Sequence, residues 1–268
     1  MSKQKVAIVT GASSGIGTAV AKKLAERGWR VFGTARNLAK APSLPGVEFI
    51  EMDVSDDDSV QRGVRQVIER SGYIDVLINN AGTSLLGAME EASIDQVKTL
   101  FETNVFGAFR VTQAVLPHMR TQRSGRIVNI SSVLGFIPGP YLGHYTSSKH
   151  ALEGLSESLD HEVRKFGVRV AIVEPAYTRT NLDAQSARPA TTISDYDTGR
   201  VSSTEAFAKK LTAAPGPDHV AGTIIEAAVG PWRMRWTPKG EASLLSKLRR
   251  FAPAKIFDSS VRKAFGLS

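Results

Sequence analysis

Thr10-Gly11-Ala12-Ser13-Ser14-Gly15-Ile16-Gly17 decides the fold. It follows an apolar run at residues 6–10 and opens a helical pattern at residues 15–27. Glycines between a strand and a helix let the backbone turn tightly and approach a pyrophosphate. The helix N-terminus then offers free N–H groups to the anion. The Gly-x-x-x-Gly-x-Gly spacing is one residue longer than the standard dinucleotide fingerprint. Gly11, Ser13, Ser14, Gly15, Ile16 and Gly17 are therefore candidate cofactor-binding residues.

Outward from this turn, strand-like runs alternate with helix-length segments. The runs lie at residues 6–10, 30–34, 47–51, 76–79, 126–130, 168–173 and 233–237. Helical patterns lie between them, such as 15–27, 57–71, 94–119 and 147–166. Several runs are β-branched without in/out alternation, as in strands buried on both faces. The pattern predicts a single α/β domain, a parallel sheet with helices on both faces. Residues 176–216 are rich in Thr, Ser, Ala and Pro and read as a long functional excursion.

The second strand ends in Gly33-Thr34-Ala35-Arg36-Asn37. A carboxylate about twenty residues past the glycines would bind a ribose 2′-hydroxyl and mark NAD. Arg36 stands there instead, suited to a 2′-phosphate. This predicts NADP(H) over NAD(H). Asp53-Val54 closes the third strand, where an adenine would lie.

Composition narrows the function further. The chain has 268 residues, is 42% hydrophobic and contains no Cys, which excludes disulfides, thiol nucleophiles and thiolate metal sites. Its five His show no ligand spacing, so no metal is expected. The longest apolar runs are strand-sized, and the apolar run after the polar Met1–Lys5 start is too short for a signal peptide. A soluble cytoplasmic protein is expected. The net charge of +8 sits in the tail: residues 231–268 hold nine Lys/Arg against two acids. The rest is nearly neutral, which argues against a nucleic-acid partner.

Tyr145 and Lys149 stand four apart, on one face of a helix. An ammonium beside a phenol favours the phenolate, and a phenol tuned that way can pass a proton to or from a carbonyl or alcohol oxygen.

With these pieces placed, residues 5–237 resemble the classical short-chain dehydrogenase/reductase family. The likeness is carried by the glycine turn, Asn79-Asn80-Ala81-Gly82, Asn104 in Thr103-Asn104-Val105, Ser131-Ser132, and Tyr145 with Lys149, in that order. The resemblance implies a Rossmann-type doubly wound domain with a seven-stranded parallel sheet over residues 1–240. It implies Tyr145 as general acid/base and Lys149 lowering its pKa while bonding the nicotinamide ribose. Ser132, thirteen residues before the tyrosine, would hold the substrate oxygen. Asn104 would anchor a water relay through its backbone, Asn80 would help hold the sheet around the cofactor, and Asn80, Ala81, Gly82 and Tyr145 would contact that cofactor. Where the family has Pro-Gly and then a threonine, this chain reads Pro175-Ala176-Tyr177-Thr178-Arg179-Thr180. Pro175, Thr178 and Thr180 would line the nicotinamide site. Ala176 departs from the family glycine, so altered local geometry is expected there.

The pocket walls are expected from residues 133–144, apolar with an aromatic tip, and from the 176–216 excursion. His144 is a candidate for either substrate contact or a structural role. The likeness is greatest to the 17β-hydroxysteroid and retinol dehydrogenase-like branch, which implies a lipophilic carbonyl or secondary alcohol. The alternatives are a 3-oxoacyl thioester reductase and, more distantly, a non-catalytic dinucleotide-sensing regulator. The family also implies a homodimer or homotetramer. Residues 241–268 form a basic amphipathic extension, read first as a helix packed on the domain or a neighbouring subunit, then as a lid, then as a membrane-surface contact.

Overall fold

The runs read as strands are short and β-branched, and in the computed structural model, which describes residues 3–180 and 186–267, they pair into one sheet. Its strands are β1 Val6–Val9, β2 Arg30–Ala35, β3 Val47–Glu51, β4 Val76–Asn79, β5 Gly125–Ile130, β6 Val168–Val173 and β7 Arg235–Trp236. Their order is β3-β2-β1-β4-β5-β6-β7, parallel throughout. The helices are α1 Gly15–Glu26, α2 Asp57–Ser71, α3 Ile94–Phe101, α4 Ala108–Gln122 and α5 Gly143–Val163. Then come α6 Asp197–Ala213, α7 Pro217–Val229, α8 Glu241–Phe251 and α9 Ala254–Ala264.

Side-chain alternation along each strand feeds two cores. Ala7 and Val9 face α1 and α7, while Val6 and Ile8 face α2 and α4. This is the doubly wound seven-stranded fold expected from the sequence. The strand order reverses between β1 and β4, which opens a crevice at their C-terminal ends.

The structure differs from the sequence reading in four places. The seventh strand shrinks from 233–237 to two residues, Arg235–Trp236, and Pro238, which cannot donate to a ladder, follows the expected run. The helix expected over 94–119 runs on to residue 122 and contains a π-helical segment, Glu102–Gly107. The helix expected over 147–166 starts earlier, at Gly143, so Tyr145 lies in its first turn. The 176–216 excursion contains α6; residues 181–185 of it lie outside the described residues. Only Ser203 of α6 is buried, so the sequence shows no apolar stripe there.

The far end of α5 is locked to the sheet by Asp160, which is fully buried. Arg164 and Arg169 reach it at 2.8 and 3.0 Å, and it accepts from the Val170 N–H at 2.9 Å. Burial works against the charge, but the Arg169 and Val170 hydrogen bonds hold the carboxyl below its ordinary value. This clamp fixes the helix that carries Tyr145 and Lys149.

Candidate active site

The glycine turn is tied to the end of β4. Thr10 Oγ1 accepts from the N–H groups of Asn80 and Ala81 at 2.9 and 3.0 Å. Asn80 Nδ2 donates back to the Thr10 and Gly11 carbonyls at 2.9 and 3.2 Å. Gly15 has a φ of 56°, in the left-handed region. A Cβ on Gly17 would stand 2.3 Å from the Gly11 carbonyl oxygen and 2.6 Å from Asn80 Nδ2. The turn is thus a cradle that side chains would fill, at a helix N-terminus, and it fits a dinucleotide pyrophosphate.

One cavity of about 620 Å³ runs from this turn, past the C-terminal ends of the strands, to α8 and α9. Gly11, Ser13, Ser14, Gly15 and Ile16 line its first part, with Arg36, Asp53 and Val54 beyond β2 and β3. Asn80, Ala81, Gly82, Ser132, Tyr145, Lys149, Pro175, Thr178 and Thr180 line the middle. Two predicted residues stand behind the wall instead: Gly17, under the turn, and Asn104. Asn104 is buried in the π-helical segment, where the regular helix ladder is opened. Its Oδ1 accepts from Thr83 N–H at 2.8 Å, and its Nδ2 donates to Thr83 O at 2.9 Å and to Ser148 Oγ at 3.1 Å. It ties α5 to the chain after β4.

The two serines after β5 have different surroundings. Ser131 Oγ donates to the buried Glu153 carboxylate at 2.6 Å. Ser132 Oγ accepts from the Leu134 N–H at 3.2 Å, which leaves its hydroxyl proton to donate into the cavity. Lys149 Nζ donates to the Ile130 carbonyl at 2.9 Å and lies 5.6 Å from the Tyr145 ring centre. Burial lowers the Lys149 ammonium to about 8, while Glu153, one helical turn on, acts to raise it.

Behind Lys149 stands a group that the sequence reading did not single out. Arg235 on β7 pairs with Glu153 at 2.5 Å and with Glu174. Thr237 Oγ1 donates to Glu174 at 2.8 Å. Burial pushes the Glu174 carboxyl above its usual range. Burial also opposes the Arg235 charge, but Glu153 and Glu174 hold its pKa above the ordinary value. The i+4 spacing of Glu153 from Lys149 was visible in the sequence; its distant partners were not.

Thr178 Oγ1 donates to the Ala176 carbonyl at 3.1 Å. Among the described residues only Arg123 and Tyr141 are non-glycines with positive φ. Ala176 therefore does not occupy glycine-only angles. His144 turns away from the cavity, with Nε2 3.2 Å from the Met89 carbonyl.

The lipophilic half is lined by Val133, Leu134, Ile137 and Leu142 from the segment before α5. The aromatic Phe136 is not among the cavity lining; Phe207 and Leu211 of α6 are. The C-terminal extension completes it, with Leu245, Leu248, Ile256, Phe257 and Phe265. Its apolar spacing was legible, but not the cavity it covers. Among the described residues, no cluster could hold a metal ion.

A sequence model described as short chain dehydrogenase matches residues 5–190. The chain belongs to that family. This short chain dehydrogenase is 43% identical over 171 residues to a 3-ketodihydrosphingosine reductase of Bacteroides thetaiotaomicron; the match covers 64% of this chain and 63% of that one. A solved short-chain dehydrogenase of Streptomyces avermitilis is 35% identical, with a TM-score of 0.82 and coverage of 97% and 98%. One from Burkholderia phymatum, in complex with NAD, is 27% identical at a TM-score of 0.79, covering 93% and 94%. A metagenomic short-chain oxidoreductase in complex with NADP is 28% identical at 0.68, covering 86% and 95%. None of these names places the chain in the 17β-hydroxysteroid or retinol branch.

Proposed function

We propose that this short chain dehydrogenase moves hydride between NADP(H) and a lipophilic ketone or secondary alcohol, with reduction as the cellular direction. The observation that carries the reading is a single cavity. It joins the glycine cradle and Arg36 at one end to Ser132, Tyr145 and Lys149, and then to an apolar wall.

A bound nicotinamide supplies the hydride. In reduction, Tyr145 Oη gives its proton to the substrate oxygen as the carbonyl carbon gains hydride. Ser132 Oγ–H holds that oxygen in place. Lys149 stabilises the phenolate left behind, and Asn104 organises the route by which the proton returns.

Glu153 acts as a positioning residue through Lys149. Glu153→Gln removes the carboxylate that supports the ammonium, so Lys149 should lose its proton at lower pH. The alkaline limb of the pH profile of kcat/KM is expected to shift down from its wild-type position. A limb that stays in place or moves up would remove Glu153 from this role.

Arg36 supports the NADP preference. Arg36→Ala is expected to weaken NADPH binding by roughly tenfold, the worth of a charged hydrogen bond, and to leave NADH unaffected. Fluorescence titration of both cofactors checks this, and tighter wild-type binding of NADH would overturn the preference.

Lys210 of the substrate wall is paired with Glu241 at 3.4 Å, and most of the side chains around it are apolar. That lining favours a neutral lipophilic ketone. The test is an NADPH-consumption screen over steroids, retinoids, quinones, aliphatic ketones, sphingoid ketones and 3-oxoacyl thioesters. Turnover of neutral lipophilic ketones supports the reading; turnover confined to thioesters or to sphingoid ketones replaces its substrate class. No turnover across the panel would favour a non-catalytic dinucleotide sensor.

Phe106 beside α4, Phe109 on α4 and Leu155 on α5 are exposed. They support an oligomer formed through these helices. Light scattering is expected to give at least twice the chain mass; a monomer at assay concentration would contradict it. The absence of Cys suits the reducing cytoplasm.

A further inference from the structure

The apolar interior of the cavity reaches the surface between α8 and α9. Leu248 and Ile256 line the cavity yet are 40% and 60% exposed. Leu244 and Phe251 continue the apolar stripe of α8 outward at 57% and 75% exposure, at helical spacing from Leu248. Large side chains this open, side by side, call for an apolar partner.

Cations surround them. Lys247, Arg249, Arg250, Lys255, Arg262 and Lys263 face a single acid, Asp258, over residues 244–263. The Arg250 guanidinium stands 5.6 Å from the Phe251 ring centre, so charge and apolar surface meet at the same point. Among the described residues, no helix is long and apolar enough to cross a membrane. Short basic helices with exposed Leu, Ile and Phe bind instead in the interfacial plane of a bilayer.

We propose that the α8–α9 face docks on a bilayer surface rich in anionic headgroups, with the cavity mouth opening onto the lipid. The cations pair with headgroup phosphates and carboxylates, and Leu244, Phe251 and Ile256 enter the acyl boundary. A lipophilic substrate then passes from the bilayer into the cavity without crossing water. A second copy of this face would bring two basic surfaces together and be repelled. An acidic carrier protein would match the cations but leave the apolar stripe in water. Docking does not depend on the hydride-transfer reading, since vesicle binding is measured without turnover.

The test is co-sedimentation of the full chain with phosphatidylcholine vesicles, pure or one-third phosphatidylserine. Binding to the anionic vesicles is expected to exceed neutral binding by roughly tenfold or more and to weaken with salt. Lys247→Glu with Arg250→Glu is expected to reduce it by roughly tenfold or more. Leu244→Ser with Phe251→Ser should do the same. Melting temperature and turnover of a small water-soluble ketone should stay at wild-type values in both pairs. Wild type left in the supernatant, or pairs that bind like wild type, would overturn the proposal. So would an oligomer that Leu244→Ser with Phe251→Ser dissociates while vesicle binding persists, or preferential binding of an acidic acyl carrier protein.

Discussion

Tyr145→Phe is expected to lower kcat by roughly 10²- to 10⁴-fold, the range of general acid–base catalysis, and to leave NADPH affinity within about twofold. The phenol oxygen is the only atom removed. The ring stays in the apolar cluster with Leu134, Ile137 and Phe257, so packing and the cavity shape persist. Lys149 keeps its bond to the Ile130 carbonyl and its place in the wall. The loss should therefore fall on the chemical step, with rapid-mixing kinetics reading the step and fluorescence titration reading affinity. A variant that keeps wild-type kcat would remove Tyr145 from the proton path.

Gly17→Val is expected to weaken cofactor binding by at least roughly 100-fold, from a steric cost of about 3 kcal/mol. Even a Cβ there meets the Gly11 carbonyl and Asn80 Nδ2, both parts of the cradle itself. Asn80 cannot yield without releasing its bonds to the Thr10 and Gly11 carbonyls. The turn must open, and the N–H groups that would face a pyrophosphate move with it. Titration with NADPH checks the affinity, and circular dichroism checks that the sheet survives. Binding at wild-type strength would mean that the turn adapts and is not the phosphate site.

Much of this was legible in the sequence because it depends on local spacing. The glycine turn needs a strand before it and a helix after it, and both are marked within residues 6–27. The parallel sheet shows in unalternated β-branched runs, and Tyr145 with Lys149 in a helical i, i+4 step. Contacts between distant segments leave no such mark. Arg235, Glu174 and Glu153 meet across three elements, and nothing at any one of those positions predicts the other two. The π-helical segment at Asn104 is equally silent, since the apolar period of the surrounding helix continues through it. Helix α6 hid for a different reason: it buries almost nothing, so no stripe marks it. The extension shows the converse. Its amphipathic pattern was plain, but the pattern states only that an apolar face exists, and the cavity it lines appears only in three dimensions.

The central claim is that a carbonyl held in the cavity gains hydride at its carbon from nicotinamide C4; the proton on oxygen exchanges with water and is read through Tyr145→Phe instead. Mass spectrometry of the alcohol formed from a long-chain ketone and NADPH deuterated at nicotinamide C4 tests it most directly. With the transferable position labelled, the account predicts one deuterium, bonded to the carbinol carbon, in product made by the wild-type chain. Deuterium labels at both faces of C4, tried in turn, should give transfer from one of them. Product without deuterium from either label, or no product from any ketone of the panel, would contradict the account.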